Sequence, residues 1–178
     1  MSITTTPLLG FVAASGTGKT TLLSQLIPLL KQQGLRIGVI KHSHHDFQID
    51  QVGKDSYRLR EAGAVTTMLC SPYRRAIITE HTERREPSLH EELQHLAATT
   101  LDLILVEGFK NEAFAKIELH RTELNCPLLY PNDSDIIALA SNGKLATSAY
   151  LTQLDLNQPD SIAQFILNDF LRNYARPL

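Results

Sequence analysis

A glycine-rich segment near the amino terminus carries the residue types that hold phosphate groups. Residues 14–21 read Ala-Ser-Gly-Thr-Gly-Lys-Thr-Thr, between an apolar run that predicts a strand and a leucine-rich run that predicts a helix. Gly16 and Gly18 allow the backbone to turn with its N–H groups inward, and the helix N-terminus adds partial positive charge. Lys19 supplies a full charge for the outer phosphates, and the Thr20 hydroxyl is placed to bind Mg²⁺. The predicted phosphate-binding residues are Ser15, Gly16, Thr17, Gly18, Lys19, Thr20 and Thr21.

The segment departs from the strict phosphate-binding pattern at one position. The pattern has a glycine six residues before the lysine, and this chain has Ala13 there. Alanine permits the turn wherever its φ is negative, so we expect the loop to form nonetheless.

A nearly continuous apolar run at residues 101–108 predicts a central strand with one acid near each end. Asp102 and Glu107 lie about 16 Å apart along an extended strand and point to opposite faces. An acid that holds Mg²⁺ or its water shell must lie at the carboxyl end, beside the phosphate-binding loop. The predicted metal residues are therefore Thr20 and Glu107.

The predicted second strand, residues 36–41, leads into a polar loop that is rich in histidine. A metal cluster of His42, His44, His45 and Asp46 is one interpretation, but no spacing in this loop converges them into a tetrahedron. Contacts to phosphate or to a partner, or a merely solvated loop, are favoured over metal. Ligands of open parallel sheets sit at the carboxyl ends of strands, so His42, Lys54 and Asp55 are predicted ligand-binding residues.

Alternating apolar runs and helical patterns predict a single α/β domain over residues 1–178, a doubly wound, mostly parallel sheet with helices on both faces. The remaining predicted strands are 64–70, 74–79 (antiparallel at an edge), 115–120 (half-exposed) and 135–140; the predicted helices are 18–33, 56–62, 88–99 (with a capping box from Ser88) and 160–172. Asn142 follows the last strand, where it predicts either base recognition or an Asn-Gly turn.

Composition restricts the partners and the compartment. A net charge of −2 gives no general basic field, which argues against nucleic acid. No apolar run is long enough to span a bilayer, and the amino terminus lacks the basic start of a signal peptide. The two cysteines are far apart and predicted to be reduced, which suits a cytoplasmic protein.

Four segments together resemble one known family. Residues 13–21, 40–46 (Ile-Lys-His-Ser-His-His-Asp), 53–56 (Gly-Lys-Asp-Ser) and 102–110 (Asp-Leu-Ile-Leu-Val-Glu-Gly-Phe-Lys) look like those of MobB proteins. The resemblance implies a fold of the P-loop NTPase type, binding of GTP with Mg²⁺, weak GTP hydrolysis and a homodimer. It also implies an adaptor role in molybdopterin guanine dinucleotide biosynthesis, in which GTP or molybdopterin is brought to the MobA guanylyltransferase. The predicted half-exposed strand at 116–120 could serve the dimer.

Two alternatives belong to other functional classes. A P-loop small-molecule kinase would need an arginine-bearing lid, for which residues 79–87 with Arg84 and Arg85 are the candidate. A MinD-like ATP switch would bring a basic amphipathic helix at the carboxyl terminus, and residues 168–173 do not form a strongly basic face. The adaptor interpretation is therefore preferred.

Replacing Lys19 with alanine is expected to abolish binding of a nucleoside triphosphate, because it removes the full positive charge aimed at the outer phosphates. Calorimetric titration of the folded variant measures this directly. Unchanged affinity in a folded Lys19→Ala protein would falsify the phosphate assignment.

Overall fold

The computed structural model describes residues 6–43, 46–148 and 151–174. The chain divides into two compact units, one formed by Met1–His42 with Ser88–Leu178 and the other by Ser43–Pro87. Within the described ranges, no helix has the length and apolar character needed to cross a membrane. Whether the chain acts as a single domain stays a prediction.

The larger unit is an α/β structure built on six strands. Its strands are β1 (Leu8–Val12), β2 (Ile37–Lys41), β5 (Leu103–Glu107), β6 (Lys116–His120), β7 (Ile136–Ser141) and β8 (Thr152–Asp155). Its helices are α1 (Lys19–Gln32), α3 (Leu89–Leu96) and α4 (Pro159–Phe165), which continues as a π-helical segment at Ile166–Tyr174. The smaller unit contains α2 (Asp55–Glu61), β3 (Thr66–Cys70) and β4 (Arg75–Thr79).

The six strands form one parallel sheet in the order β2-β5-β1-β6-β7-β8. Although β1, α1 and β2 follow one another in sequence, β5 lies between the two strands and pairs with both. The two innermost strands of this half, β1 and β5, are buried along their whole length. Continuous apolar runs suit such strands, because both faces of a parallel sheet are covered.

Helices cover both faces of this sheet, as predicted. On one face, leucines of α1 and apolar residues of α4 share a core with alternate residues of four strands. On the other face, Leu89 and Leu93 of α3 pack with Leu8, Ile104 and Val106. Ser88 occupies the N-cap of α3, but its side chain makes no capping hydrogen bond, so the predicted capping box does not form as such.

The smaller unit is a helix and a hairpin. β3 and β4 pair antiparallel, as predicted, but they form a separate two-stranded sheet rather than an edge of the six-stranded one. Arg60 of α2 ties the unit together, since its Nη1 lies 3.1 Å from Glu80 Oε1 and its Nε lies 3.4 Å from Asp50 Oδ2. These contacts join the helix to the chain segments on either side of it.

The strand β6 differs from its prediction. Its alternating pattern predicted a half-exposed strand, yet all five residues are buried between β1 and β7. The polar face is covered by the irregular segment 121–135 instead of by water. Lys116 Nζ donates to Asp133 Oδ2 at 2.9 Å, and the Glu118 carboxylate accepts the backbone N–H groups of Leu129 and Tyr130 at 2.8 and 2.9 Å. A buried strand of this kind does not provide the dimer surface suggested for residues 116–120.

Removing the charge of Asp133 is expected to destabilise the protein more than replacing Lys116 with an apolar residue. Asp133→Asn keeps the hydrogen-bonding shape but leaves a buried ammonium without its nearest charge. We expect it to lower the free energy of unfolding by about 2 kcal/mol, less than the ~3–5 kcal/mol typical of broken buried pairs. The smaller value reflects Asp135 Oδ2, which remains 3.7 Å from the ammonium.

Lys116→Met is the matched control for this effect. Methionine fills a similar volume, and the partly exposed Asp133 can be hydrated, so the expected loss is below about 1 kcal/mol. Urea unfolding of both variants measures the difference. A larger loss for Lys116→Met than for Asp133→Asn would contradict the assignment of β6 as a charge-compensated buried strand.

Candidate phosphate-binding site

The glycine-rich loop connects the end of β1 to the start of α1. Gly16 and Gly18 adopt φ values of 78° and 101°, in the region where a side chain is strained. The buried Thr17 hydroxyl donates to the carbonyl of Ala14 at 2.8 Å and closes the loop on itself. Lys19 Nζ donates to the carbonyls of Ala13 and Ala14 at 3.3 and 3.4 Å. Ala13 does not have a positive φ, so the loop accommodates it without a glycine.

The first turn of α1 begins inside this loop, at Lys19. A helix N-terminus presents unpaired N–H groups and partial positive charge, and α1 is 14 residues long. Its first turn carries no acidic residue that would compete with an anion. The loop and helix together can therefore bind phosphate oxygens.

The end of β5 places Glu107 next to the helix start. Both Glu107 carboxylate oxygens lie 3.1 Å from the Thr20 hydroxyl, which donates to them. The hydroxyl and carboxylate are hard oxygen ligands of the kind that Mg²⁺ prefers, so these two predicted metal residues fit the ion. The structure therefore brings together the pair that the sequence selected.

The Lys41 ammonium also contacts both members of this pair, and the sequence analysis did not include Lys41 in the site. Its Nζ donates to Thr20 Oγ1 at 3.3 Å and lies 3.4 Å from Glu107 Oε1. The cause is the parallel register of β2 and β5, which aligns Lys41 with Glu107. The Lys41 ammonium therefore already lies at the position to which the Thr20–Glu107 pair would attract a metal ion.

The turn after β5 holds His42 against an aromatic ring. The rings of His42 and Phe109 stack with centroids 4.6 Å apart, and the backbone N–H of His42 donates to the Glu107 carbonyl at 2.8 Å. Gly108 has φ 102°, and a Cβ there would lie 2.7 Å from that of His42. Phe109 itself has φ 51°, which is strained for a bulky residue. The predicted ligand-binding residue His42 is therefore held rigidly beside Glu107.

Asp102 directly precedes β5, at the opposite end of the strand from Glu107, and its carboxylate is bound by Arg36. Two hydrogen bonds from the Arg36 guanidinium, at 2.8 and 2.9 Å, and one from its backbone hold the pKa of Asp102 well below its usual range. The two acids therefore lie where the sequence placed them, with Glu107 beside the loop and Asp102 at the far end of the strand, and the metal role of Glu107 stays a prediction.

Asn142 directly follows β7, and its side chain is hydrogen-bonded to Thr122 and Glu123. Its side-chain oxygen accepts the Thr122 N–H at 3.1 Å, and its Nδ2 donates to Glu123 Oε2 at 2.6 Å. This hydrogen bond is the main cause of the lowered pKa of Glu123. The contacts explain Asn142 as a residue that fixes the turn after β6, and base recognition stays a prediction.

Arg121, one residue beyond β6, links this turn to the phosphate-binding loop. Its Nε donates to the Thr17 carbonyl at 3.0 Å, and its Nη1 lies 3.8 Å from Glu123 Oε1. Sequence analysis missed Arg121, although its position directly after a predicted strand was a usable signal.

The predicted ligand-binding residues Lys54 and Asp55 belong to the smaller unit. Lys54 is the N-cap of α2 and Asp55 is its first residue, and both are exposed. His44 and His45 lie outside the described residues. Among the residues that the structure describes, no group of three or more His, Cys, Asp and Glu side chains is arranged to hold a metal ion.

Known proteins resemble this chain over most of its length. Residues 8–142 match the model of the family described as MobB, molybdopterin guanine dinucleotide synthesis protein B. A molybdopterin-guanine dinucleotide biosynthesis adapter protein of Escherichia coli is 46% identical over 90% of this chain and 91% of its own. Its counterpart in Haemophilus influenzae is 47% identical over 91% of this chain and 88% of its own.

Solved structures agree with the fold. The crystal structure of a MobB homologue from Bacillus stearothermophilus superposes with a TM-score of 0.68 at 23% identity, over 93% of this chain and 97% of that one. The glycine-rich loop, Glu107 and most of the parallel sheet all lie within the matched residues. The chain therefore belongs to the MobB family.

Proposed function

We propose that this protein binds GTP with Mg²⁺ at the glycine-rich loop and serves as an adaptor in molybdopterin guanine dinucleotide biosynthesis. In this role it assists a MobA-type guanylyltransferase, which would receive GTP or molybdopterin, and it hydrolyses GTP at most weakly. A homodimer and a cytoplasmic location are part of the same proposal. The observation that carries the proposal is the contact of Thr20 with Glu107 at the start of α1.

The phosphate part of the proposal follows from the charges at the loop. Lys19 and the N–H groups of the first turn of α1 attract the phosphate oxygens. The ammonium of Lys19 lies against backbone carbonyls, from which it can turn to a stronger, charged acceptor. Arg121 fixes the carbonyl of Thr17, which keeps the loop in shape.

Thr20 and Glu107 would hold Mg²⁺, directly or through water. The ion supplies positive charge that neutralises the phosphate oxygens. Lys41 is more than half exposed on its side chain, so it can withdraw from between the two ligands. Glu107, by contrast, is nearly buried and stays in place.

The guanine and the adaptor role are supported by the relatives. The two bacterial proteins named above, which cover about nine-tenths of this chain, are described as adapters of molybdopterin-guanine dinucleotide biosynthesis. Weak hydrolysis is expected where no partner supplies an arginine to stabilise the transition-state charge of phosphoryl transfer. Arg121 lies beside the loop, but its guanidinium is hydrogen-bonded to the Thr17 carbonyl and is not directed at a phosphate by that contact.

Calorimetric titration of GTP and of ATP, each with Mg²⁺, tests the base preference. We expect GTP to bind at least about tenfold more tightly, a difference of ~1.4 kcal/mol, and Lys19→Ala to bind neither. A pull-down with the guanylyltransferase then tests the adaptor role. Preferential binding of ATP would leave the fold intact and reject the guanine assignment, which would favour the kinase and switch alternatives.

Glu107→Gln tests the metal part separately from the phosphate part. The amide keeps the shape but loses the negative charge, so GTP affinity in Mg²⁺ is expected to fall about tenfold. In EDTA the variant is expected to match or exceed the parent protein, since the carboxylate then only repels the phosphates. Titrations of both proteins in both buffers measure this.

Asp102→Asn is the matched control, because it makes the same charge change at the other end of the β5 run. It is expected to leave the Mg²⁺ dependence of GTP affinity unchanged. Equal loss in both variants would mean that net charge, rather than a metal ligand, explains the effect of Glu107.

A further inference from the structure

We propose that the Glu123 carboxylate reads the guanine base, by accepting hydrogen bonds from its N1–H and N2–H groups. Glu123 lies just after β6, in a single 3₁₀ turn at Thr122–Leu124. The inference rests on the proposed binding of GTP and names the group that distinguishes GTP from other nucleotides. Sequence analysis did not select Glu123 as a site residue.

The position of the metal pair indicates on which side of the loop a base would lie. Thr20 and Glu107 meet on the β5 side of β1, and Lys41 comes to the same place from β2. A metal ion held there would draw the outer phosphates to that side. The nucleoside end therefore extends to the opposite side of β1, toward the ends of β6 and β7. Strands are spaced about 4.8 Å apart, so β7 lies ~10 Å from β1 across the sheet.

Arg121 connects Glu123 to the phosphate-binding loop on that side. Its Nε donates to the Thr17 carbonyl at 3.0 Å, and its Nη1 lies 3.8 Å from Glu123 Oε1. A Cβ built on Gly18 would lie 3.9 Å from Arg121 Nη2, so the guanidinium also borders the residue that precedes α1. One side chain thus spans the gap between the phosphate loop and the carboxylate, which places Glu123 within reach of the base of a nucleotide held by the loop.

Neighbouring side chains orient the Glu123 carboxylate without covering it. Asn142 Nδ2 donates to Glu123 Oε2 at 2.6 Å, and the side chain of Glu123 remains 57% exposed. The Thr122 hydroxyl lies 3.3 Å from Glu123 Oε2 and 3.4 Å from Asn142 Oδ1. Because the hydroxyl has one proton for two acceptors, it can turn to the amide when a base binds the carboxylate. Glu123 is therefore oriented and still able to accept from a ligand.

The charge of Glu123 suits one base and opposes another. The hydrogen bond from Asn142 is the largest cause of the lowered pKa of Glu123, and the positive charge of Arg121 acts in the same direction. The carboxylate at neutral pH is therefore an acceptor with no proton to donate. Guanine presents N1–H and its N2 amino group side by side, whereas adenine has an acceptor nitrogen at N1 and no amino group at C2. Glu123 attracts the first edge and repels the second.

Asn142 is then a positioning residue and not the direct reader of the base. Its side-chain oxygen accepts the Thr122 N–H at 3.1 Å while its Nδ2 holds Glu123. Gly143, the next residue, packs closely on the same turn, since a Cβ there would lie 3.3 Å from Thr122 Cγ2. These contacts join the turns after β6 and β7, so the direction of the carboxylate is set before a nucleotide binds.

Glu123→Gln tests the assignment through a change of base preference. Glutamine keeps an oxygen that accepts N1–H but replaces the second acceptor with an amino donor. That donor suits the C2 carbonyl of xanthine and opposes the amino group of guanine. With Mg²⁺ we expect GTP affinity to fall about tenfold, XTP affinity to rise about tenfold and ATP affinity not to fall. Calorimetric titration of the three nucleotides with both proteins measures this.

Glu112→Gln is the matched control, because it removes one carboxylate charge from an exposed residue of the same unit. It is expected to leave the ratio of GTP to XTP affinity unchanged within about twofold. An equal shift of that ratio in both variants overturns the proposal. A parallel loss of GTP and ATP affinity in Glu123→Gln also overturns it, because the loop and not base reading would then have changed.

A second measurement needs no change at Glu123. ITP lacks the N2 amino group of GTP, so the parent protein is expected to bind it about tenfold more weakly. In Asn142→Ala the carboxylate loses its restraint, and we expect this difference to fall below about threefold while ATP affinity stays unchanged. Equal binding of ITP and GTP by the parent contradicts the assignment.

The titrations separate a failure of this inference from a failure of the proposed function. If the parent protein does not bind GTP, the proposed function is rejected and the base reader with it. If the parent prefers GTP and Glu123→Gln keeps the same preference, the proposed function stands and Glu123 is not the reader.

Discussion

The site depends on the parallel pairing of β1 with β5. Because the register aligns Phe11 with Glu107, the carboxyl end of β5 lies beside the loop that leaves β1. One consequence is the pair of 3.1 Å contacts between Glu107 and the Thr20 hydroxyl. Another is that β2, paired to the far side of β5, ends with Lys41 at the same place. A shift of the register by one residue would turn Glu107 to the opposite face of the sheet and disperse all three groups.

Strand β6, on the other side of β1 from β5, is covered in a different way from these two strands. Helices cover β1 and β5 on both faces, but the polar face of β6 is covered by the irregular segment 121–135. Irregular backbone over a buried strand needs hydrogen-bonding partners, since unpaired buried groups are costly. Lys116 and Glu118 provide such partners from within the strand. Their charges therefore serve to attach a loop where apolar side chains would have attached a helix.

Local patterns predicted most of the elements and the centre of the site. Strand direction alone selected Glu107 over Asp102, and the glycine-rich loop identified the start of α1. The burial of β6 was missed because alternation shows which residues share a face, not whether that face meets water or a distant segment. Lys41 was missed for a similar reason, since its partner Glu107 is brought near by pairing across strands. β8 was missed because it has four residues, three of them exposed.

Lys41 has a consequence for the order in which ligands enter. With its ammonium 3.4 Å from the Glu107 carboxylate, the two charges largely cancel, and a free divalent ion meets a nearly neutral site. An ion that arrives together with a polyanion brings the missing negative charge with it and releases the lysine to the anion. If Thr20 and Glu107 hold Mg²⁺ as proposed, the site would discriminate against the bare ion in favour of the ion–anion complex, although neither ligand by itself can tell the two apart. Lys41 would then compete with the metal ion for Glu107 and set the ion concentration at which the site fills.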